Sequence, residues 1–220
     1  MKSIRVWDLP TRVFHWSLVL CFIGLLITGT MGGNAMPWHF RFGYGLLTLL
    51  LFRLIWGVVG GKWSRFTSFI YSPRSIRNYI QGQAPVYHLV GHNPLGSVSV
   101  FALLGFLSAQ VATGLISDDE IAAAGPLSKF VSNATVSLAS GYHTKIGKVF
   151  LIALVLLHVL AVLFYLYKKR ENLIKPMIHG DKVLPIDVPA SRDDAASRAW
   201  ALLILAASAG FVYWLVSLGG

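Results

Sequence analysis

The sequence predicts an all-α integral membrane protein, a bundle of about five transmembrane helices, and three observations predict it. Hydrophobic residues make up 55% and charged residues only 13% of the 220 positions, too apolar a balance for a soluble domain. Five apolar stretches, near residues 13–33, 41–60, 95–116, 145–167 and 199–218, each approach the roughly 20 residues that cross a hydrocarbon layer about 30 Å thick. The basic residues then sort by loop: fourteen of the nineteen precede the first stretch, follow the second or follow the fourth. Such a distribution places those loops, and the N-terminus, in the cytoplasm, and an odd number of spans leaves the C-terminus outside. The net charge of +10 therefore reads as topology, with some attraction to anionic lipid, and not as a nucleic-acid surface.

Taken in order, the first stretch follows Val6-Trp7-Asp8-Leu9-Pro10-Thr11-Arg12, an interfacial Trp with a Pro and Thr suited to a helix start. Without an early small-residue cleavage site it reads as a retained helix. The second closes at Ile55-Trp56-Gly57-Val58-Val59-Gly60-Gly61, where glycines let the chain turn away. Residues 62–93 form a cytoplasmic segment with a short surface helix near Pro73 to Gln81. Trp63, Phe66, Phe69, Ile70 and Tyr71 among basic residues suit a position in the headgroup layer. An outer loop, 117–142, opens with Asp118-Asp119-Glu120 and continues at loosely helical spacing. The linker 168–198 carries Pro176, Pro185 and Pro189, which predicts extended or irregular chain. No internal repeat is visible, and 1–220 reads as one domain.

The histidines carry the chemistry. Ionisable side chains in a spanning segment face the bundle interior and take a partner, and a neutral imidazole is a usual ligand of haem iron. His15 lies about one turn into the first helix, His39 at the mouth of the second, His143 at the mouth of the fourth and His158 inside it. The 15 residues between His143 and His158 correspond to about 22 Å along a helix and a rotation of only about 60°. Helix direction then matches His15 with His158 in the cytoplasmic half and His39 with His143 in the outer half. Two bis-histidine sites stacked across the bilayer follow, an arrangement suited to electron transfer and known between facing helices of a bundle. The bland alternative makes each a helix-end or interior hydrogen-bonding residue. Cys21 is the single cysteine, which excludes an internal disulfide and covalent c-type haem.

Arg53 lies about 21 Å deeper than His39 and within about 40° of the same face. It is placed either to pair with a haem propionate or to snorkel to the headgroups; Arg41, near the outer site, invites the first suggestion more weakly. His88, His92 and His179 fall in cytoplasmic loops and are expected as surface or capping residues, with His92, in Gly91-His92-Asn93-Pro94, the least readily dismissed of the three.

Several of these segments together resemble the bacterial cytochrome b561 family, particularly members allied to the b-type cytochrome subunit of nickel–iron hydrogenases. They are Val6-Trp7-Asp8 to His15-Trp16, Phe52-Arg53-Leu54-Ile55-Trp56-Gly57, Gly91-His92-Asn93-Pro94-Leu95-Gly96, Thr113-Gly114-Leu115, Asp118-Asp119-Glu120-Ile121, Gly125-Pro126-Leu127 and His143 to His158. The resemblance covers about 4–182. It implies a four-helix core with two non-covalent b haems whose axial ligands are His15, His39, His143 and His158, the fifth helix at 199–218 lying beyond that core. The interval of 15 between the last two is one more than the resemblance implies, which a local change of helix pitch would absorb.

The resemblance further implies a bacterial inner-membrane protein that exchanges electrons with the quinone pool, ubiquinone or menaquinone, or with a redox protein on the periplasmic face, a c-type cytochrome or hydrogenase-like partner. A self-contained superoxide:quinone oxidoreductase is the alternative, and Lys145, Lys148 and Arg41 would give the outer mouth a basic edge to steer an anion or an acidic protein. From another class, a metal or proton transporter would use the same intramembrane histidines. Against it, no Asp or Glu falls inside a predicted span.

Overall fold

Helix ends in this chain are set by short polar side chains, and the long helices between them by apolar composition. The computed structural model describes residues 2–119 and 123–219; Glu120 and Ile121 of the acidic outer stretch lie outside them. The first long helix, α1 (Leu9–Met31), starts at Asp8, whose carboxylate accepts the Thr11 amide at 2.8 Å, the usual way to satisfy a first-turn donor. It ends at Gly32 and Gly33, both at positive φ (61° and 48°), a backbone glycine adopts without strain. Helix α2 (Met36–Val59) follows, then α3 (Pro73–Ile80), whose first turn is capped by Ser72. In α4 (Pro94–Ile116), Asn93 caps the Gly96 amide at 2.8 Å and Pro94 occupies the first position, where a missing N–H costs nothing.

Helix α5 (Asn133–Gly141), capped by Ser132, continues through one wide π turn (Tyr142–Gly147) into α6 (Lys148–Tyr167). After the short α7 (Ile174–His179) comes α8 (Ala195–Ser217). Among the described residues, five helical segments are long and apolar enough to cross a membrane: Leu9–Met31, Gly33–Val59, Pro94–Ile116, Asn133–Tyr167 and Ala195–Ser217. Large apolar side chains such as Leu20, Val58, Leu157 and Leu202 stand exposed on them, as lipid-facing residues do. The protein is a multi-pass, helical membrane protein.

The contacts divide the chain into two units. The first comprises Met1–His15, Arg53–Ala102 and Leu156–Ile204. Its strands β1 (Lys2–Arg5) and β2 (Asp181–Leu184) pair antiparallel, Ile4 opposite Lys182. Behind them Ile4, Val6, Trp7, Trp63, Val90 and Leu184 make one buried cluster. Asp8, fully buried, accepts hydrogen bonds from Ser64 Oγ at 2.7 Å and Trp56 Nε1 at 3.2 Å besides the Thr11 amide. Arg5 bridges Asp181 and Asp193, Arg12 donates to the Ile178 carbonyl at 2.6 Å, and Tyr79 hydrogen-bonds Tyr165.

Several expectations are corrected here. The linker 168–198 is not irregular throughout, since it supplies α7 and β2; the paired strand depends on a partner about 180 residues away, invisible to local pattern. Trp63 and Phe69 are core residues, 2% and 1% exposed, rather than headgroup anchors. The first helix starts at Leu9 instead of near 13, so Arg12 is inside it and held by the α7 carbonyl. That places His15 nearly two turns in.

The second unit comprises Trp16–Phe52, Leu103–Val155 and Leu205–Gly220. Leu46, Leu50, Leu107 and Leu151 form its buried cluster, with Cys21, Phe22 and Leu25 packed on it. Ser140 of α5 accepts from the Asp118 amide and donates to the Asp118 carbonyl, both at 3.0 Å, which ties the outer loop down. Because α5 and the π turn precede α6 without a break, His143 sits about ten residues inside a helical segment and not at its mouth.

Candidate haem sites

Each unit contains one histidine pair. In the first, the rings of His15 and His158 have centroids 6.5 Å apart with planes inclined 52°. In the second, His39 and His143 stand 6.2 Å apart at 85°. Among the described residues no three metal-ligating side chains come together. Imidazole–metal bonds of about 2 Å from two rings to one metal put their centroids about 6 Å apart, so the spacing of both pairs suits a shared axial metal.

In the second unit the rings are held by neighbours. His143 Nδ1 lies 2.8 Å from the Gln110 carbonyl, which can only accept, so the proton is on Nδ1 and Nε2 keeps its lone pair. Gln110 in turn donates from Nε2 to the His143 carbonyl at 2.8 Å, clamping the ring's own backbone. The Thr28 hydroxyl, which donates to the Gly24 carbonyl at 2.6 Å, lies 3.3 Å from His39 Nδ1, and the His39 ring also hydrogen-bonds the backbone of Leu25. Both rings also rest against helical glycines. A Cβ at Gly29 would stand 2.9 Å from His39 Cε1, and one at Gly114 2.8 Å from His143 Cε1, closer than real Cβ contacts allow. The π turn Tyr142–Gly147 contains His143; such turns take one residue more than an α turn and recur at functional sites, and this one lies in the interval that is one residue long. Arg41 is exposed, with its guanidinium 4.7 Å from the centre of the Trp38 ring.

The first unit holds its pair in different company. Arg53 is only 3% exposed, so it does not snorkel; its guanidinium lies 4.7 Å over the Phe66 ring, and Nη1 is buried without a hydrogen-bond partner. His92 is no surface residue. Its ring is wedged between Trp7, centroids 4.7 Å apart, and Phe69, 4.4 Å, and its Nδ1 is buried and unpartnered. Burial, reinforced by Arg53, His158 and His15, pushes the His92 imidazole down to about 3, so the ring is neutral near pH 7 and carries one N–H. His88 stacks edge-on against Tyr71, while His179 is exposed. Two buried nitrogens without partners, Arg53 Nη1 and His92 Nδ1, in the unit that holds a histidine pair fit a group that brings both a metal and a carboxylate, as haem does.

Sequence reading singled out the four helix histidines, Arg53 and Arg41, and missed Gln110, Thr28, Gly29 and His92. The motif Gly91-His92-Asn93-Pro94 was visible, but only the cap at Asn93, and not the burial of His92, follows from local pattern.

Comparison with known proteins agrees with this chemistry. The chain is similar to proteins named probable Ni/Fe-hydrogenase B-type cytochrome subunit. That of Azotobacter chroococcum is 26% identical, the match covering 85% of this chain and 91% of the relative. That of Bradyrhizobium diazoefficiens is 24% identical over 82% and 86%, and that of Rhodobacter capsulatus 22% over 84% and 83%. No solved structure matches. Residues 6–180 match the family described as prokaryotic cytochrome b561, and the chain belongs to that family, a membrane b-type cytochrome that carries haem b and transfers electrons.

Proposed function

We propose that the protein binds two b haems, one axially held by His15 and His158 and one by His39 and His143, and passes electrons between the membrane quinone pool and a redox partner at the periplasmic face of the bacterial inner membrane. The observation that carries this reading is the pair of ring separations, 6.5 and 6.2 Å. When bound, haem supplies a one-electron iron couple, and the protein sets ligation, burial and orientation. Arg53 offers its unpartnered Nη1 to a propionate in the first unit. In the second, Gln110 fixes the His143 tautomer, Thr28 stands beside His39 Nδ1, Gly29 and Gly114 leave the rings room, and Arg41 is the candidate cation for an exposed propionate.

The basic distribution supports an N-terminus in the cytoplasm and a C-terminus in the periplasm, which puts the loops after the first and third spans on the periplasmic side. There the exposed Lys145, Lys148 and Arg41 favour an acidic redox protein. The names of the relatives make a hydrogenase-like protein the first partner to try.

The test is haem content per chain in the detergent-purified protein, followed by anaerobic reduction with a ubiquinol and a menaquinol analogue. Two b haems that a quinol reduces bear the proposal out; one haem or none, or two haems that neither quinol reduces, contradicts it. Adding superoxide in place of quinol separates the alternative oxidoreductase.

A further inference from the structure

His92 is left without an assignment by the ligand pairs. It is part of no membrane span, yet its imidazole packs within the first unit between the Trp7 and Phe69 rings. Nothing about its position is accidental to the local structure. Asn93 caps α4, the Ser97 amide bonds the Asn93 carbonyl at 2.8 Å, and the Tyr71 hydroxyl donates to the His92 carbonyl at 2.9 Å. Trp7 and Phe69 fix the ring between them. Backbone and ring are thus both held, and the ring still leaves Nδ1 buried and unpaired.

A buried polar nitrogen without a partner is costly, and the few such groups in a folded protein call for a reason. Arg53 Nη1 and His92 Nδ1 are among them, and the two side chains are joined through the Phe66 and Phe69 rings, Arg53 lying over Phe66 and His92 against Phe69. A guanidinium and a neutral imidazole together suit an acceptor with two oxygens and one negative charge.

We infer that His92 is a second binding residue for a carboxylate of the haem held by His15 and His158, donating from Nδ1 to the propionate that Arg53 neutralises. This rests on the proposed ligand pair. The two residues divide the work: Arg53 provides charge, and His92 provides a directed donor whose orientation packing has fixed in advance. Asn or Gln in place of His92 would keep a donor at that point, while Phe would keep only the aromatic packing.

The test uses the full chain in detergent, freed of haem and reconstituted either with haem b or with its dimethyl ester, in which both propionates are blocked. Loss of each haem to excess apomyoglobin is timed for wild type, His92→Phe and His92→Gln. The expected result is that His92→Phe speeds one of the two phases about tenfold with haem b, that His92→Gln restores most of it, and that the difference between wild type and His92→Phe is much smaller with the dimethyl ester, whose carbonyl is a weaker, uncharged acceptor. Equal acceleration with both haems, or none with haem b, overturns the inference and leaves His92 a packing residue. Should the Phe ring not be accommodated, His92→Ala repeats the comparison without added volume, with the same outcomes deciding. A wild-type chain that takes up no haem in the phase sensitive to His158→Ala fails the ligand assignment itself, a result distinct from any behaviour of His92.

Discussion

The two histidine pairs have nearly equal ring separations but are supported by opposite means. The second unit's pair is held by neutral groups: the Gln110 carbonyl and Thr28 hydroxyl on the Nδ1 atoms, and glycines at 29 and 114 where any larger residue would strike a ring. The first unit's pair lies among charge and aromatic mass, with a buried Arg53, a buried His92 donor and a scaffold built on the buried Asp8 carboxylate. Under the proposed ligation, one bonding role is thus tuned once by neutral hydrogen-bonding groups on the rings and once by a nearby cation. A backbone carbonyl on Nδ1 makes an imidazole more electron-donating and favours ferric iron, whereas a buried cation disfavours the extra positive charge of ferric iron. The first unit's haem is therefore expected to have the higher midpoint potential.

Steric substitution should break the contrast most sharply. Gly114→Leu places several carbons where even a Cβ is too close to His143, and is expected to cut haem content from two per chain to one, measured as pyridine haemochrome, while leaving the first unit's haem in place. Asp8→Ala should act on the first unit alone. It strands the Trp56, Ser64 and Thr11 donors, and a loss of about 2–4 kcal/mol should appear in the thermal melt of the detergent-solubilised protein; Asp8→Asn, which keeps one acceptor oxygen, should lose less.

A smaller and purely electrostatic change is expected from Arg53→Met. Removing the buried cation should lower the potential of the higher-potential haem by about 60 mV, the equivalent of a tenfold change for a one-electron couple, and leave the other unmoved. Equal shifts of both would show that the charge is not local to the first unit's pair.

The mildest effect concerns pH. Burial acts to raise the Asp193 carboxyl, but hydrogen bonds from Arg198, the Leu9 amide and Arg5 outweigh it, and the carboxyl lies below its usual range. A carboxyl lowered in the folded protein contributes stability that is complete above its unfolded value, about 4, and is lost as pH falls through the lower folded value. Protection of the β1 amides, relative to intrinsic exchange, should therefore fall below about pH 4, and Asp193→Asn should remove that dependence while weakening β1 at neutral pH.

How far these features are legible before folding depends on the range of the interaction. Lipid-facing helices are read from composition because the membrane selects for length and apolarity residue by residue, and the short helix α3 shows itself through Ser72 and Pro73. The pairing of four histidines follows from helix direction and rise, quantities set by backbone geometry. What escapes is long-range or cooperative: β1 pairs with β2 across nearly the whole chain, Asp8 gathers donors from residues 11, 56 and 64, and the half-buried His92 is flanked by Trp7 and Phe69. The wide turn at His143 lacks a local composition signal; only the 15-residue interval pointed to a change of pitch.

The central claim, one haem for each histidine pair, is tested most directly by potentiometric titration of the b-haem absorbance in wild type, His15→Ala and His39→Ala. Two one-electron transitions in wild type, with His15→Ala losing the higher and His39→Ala the lower, is the predicted result. A single transition in wild type, or the same transition lost in both variants, would contradict it.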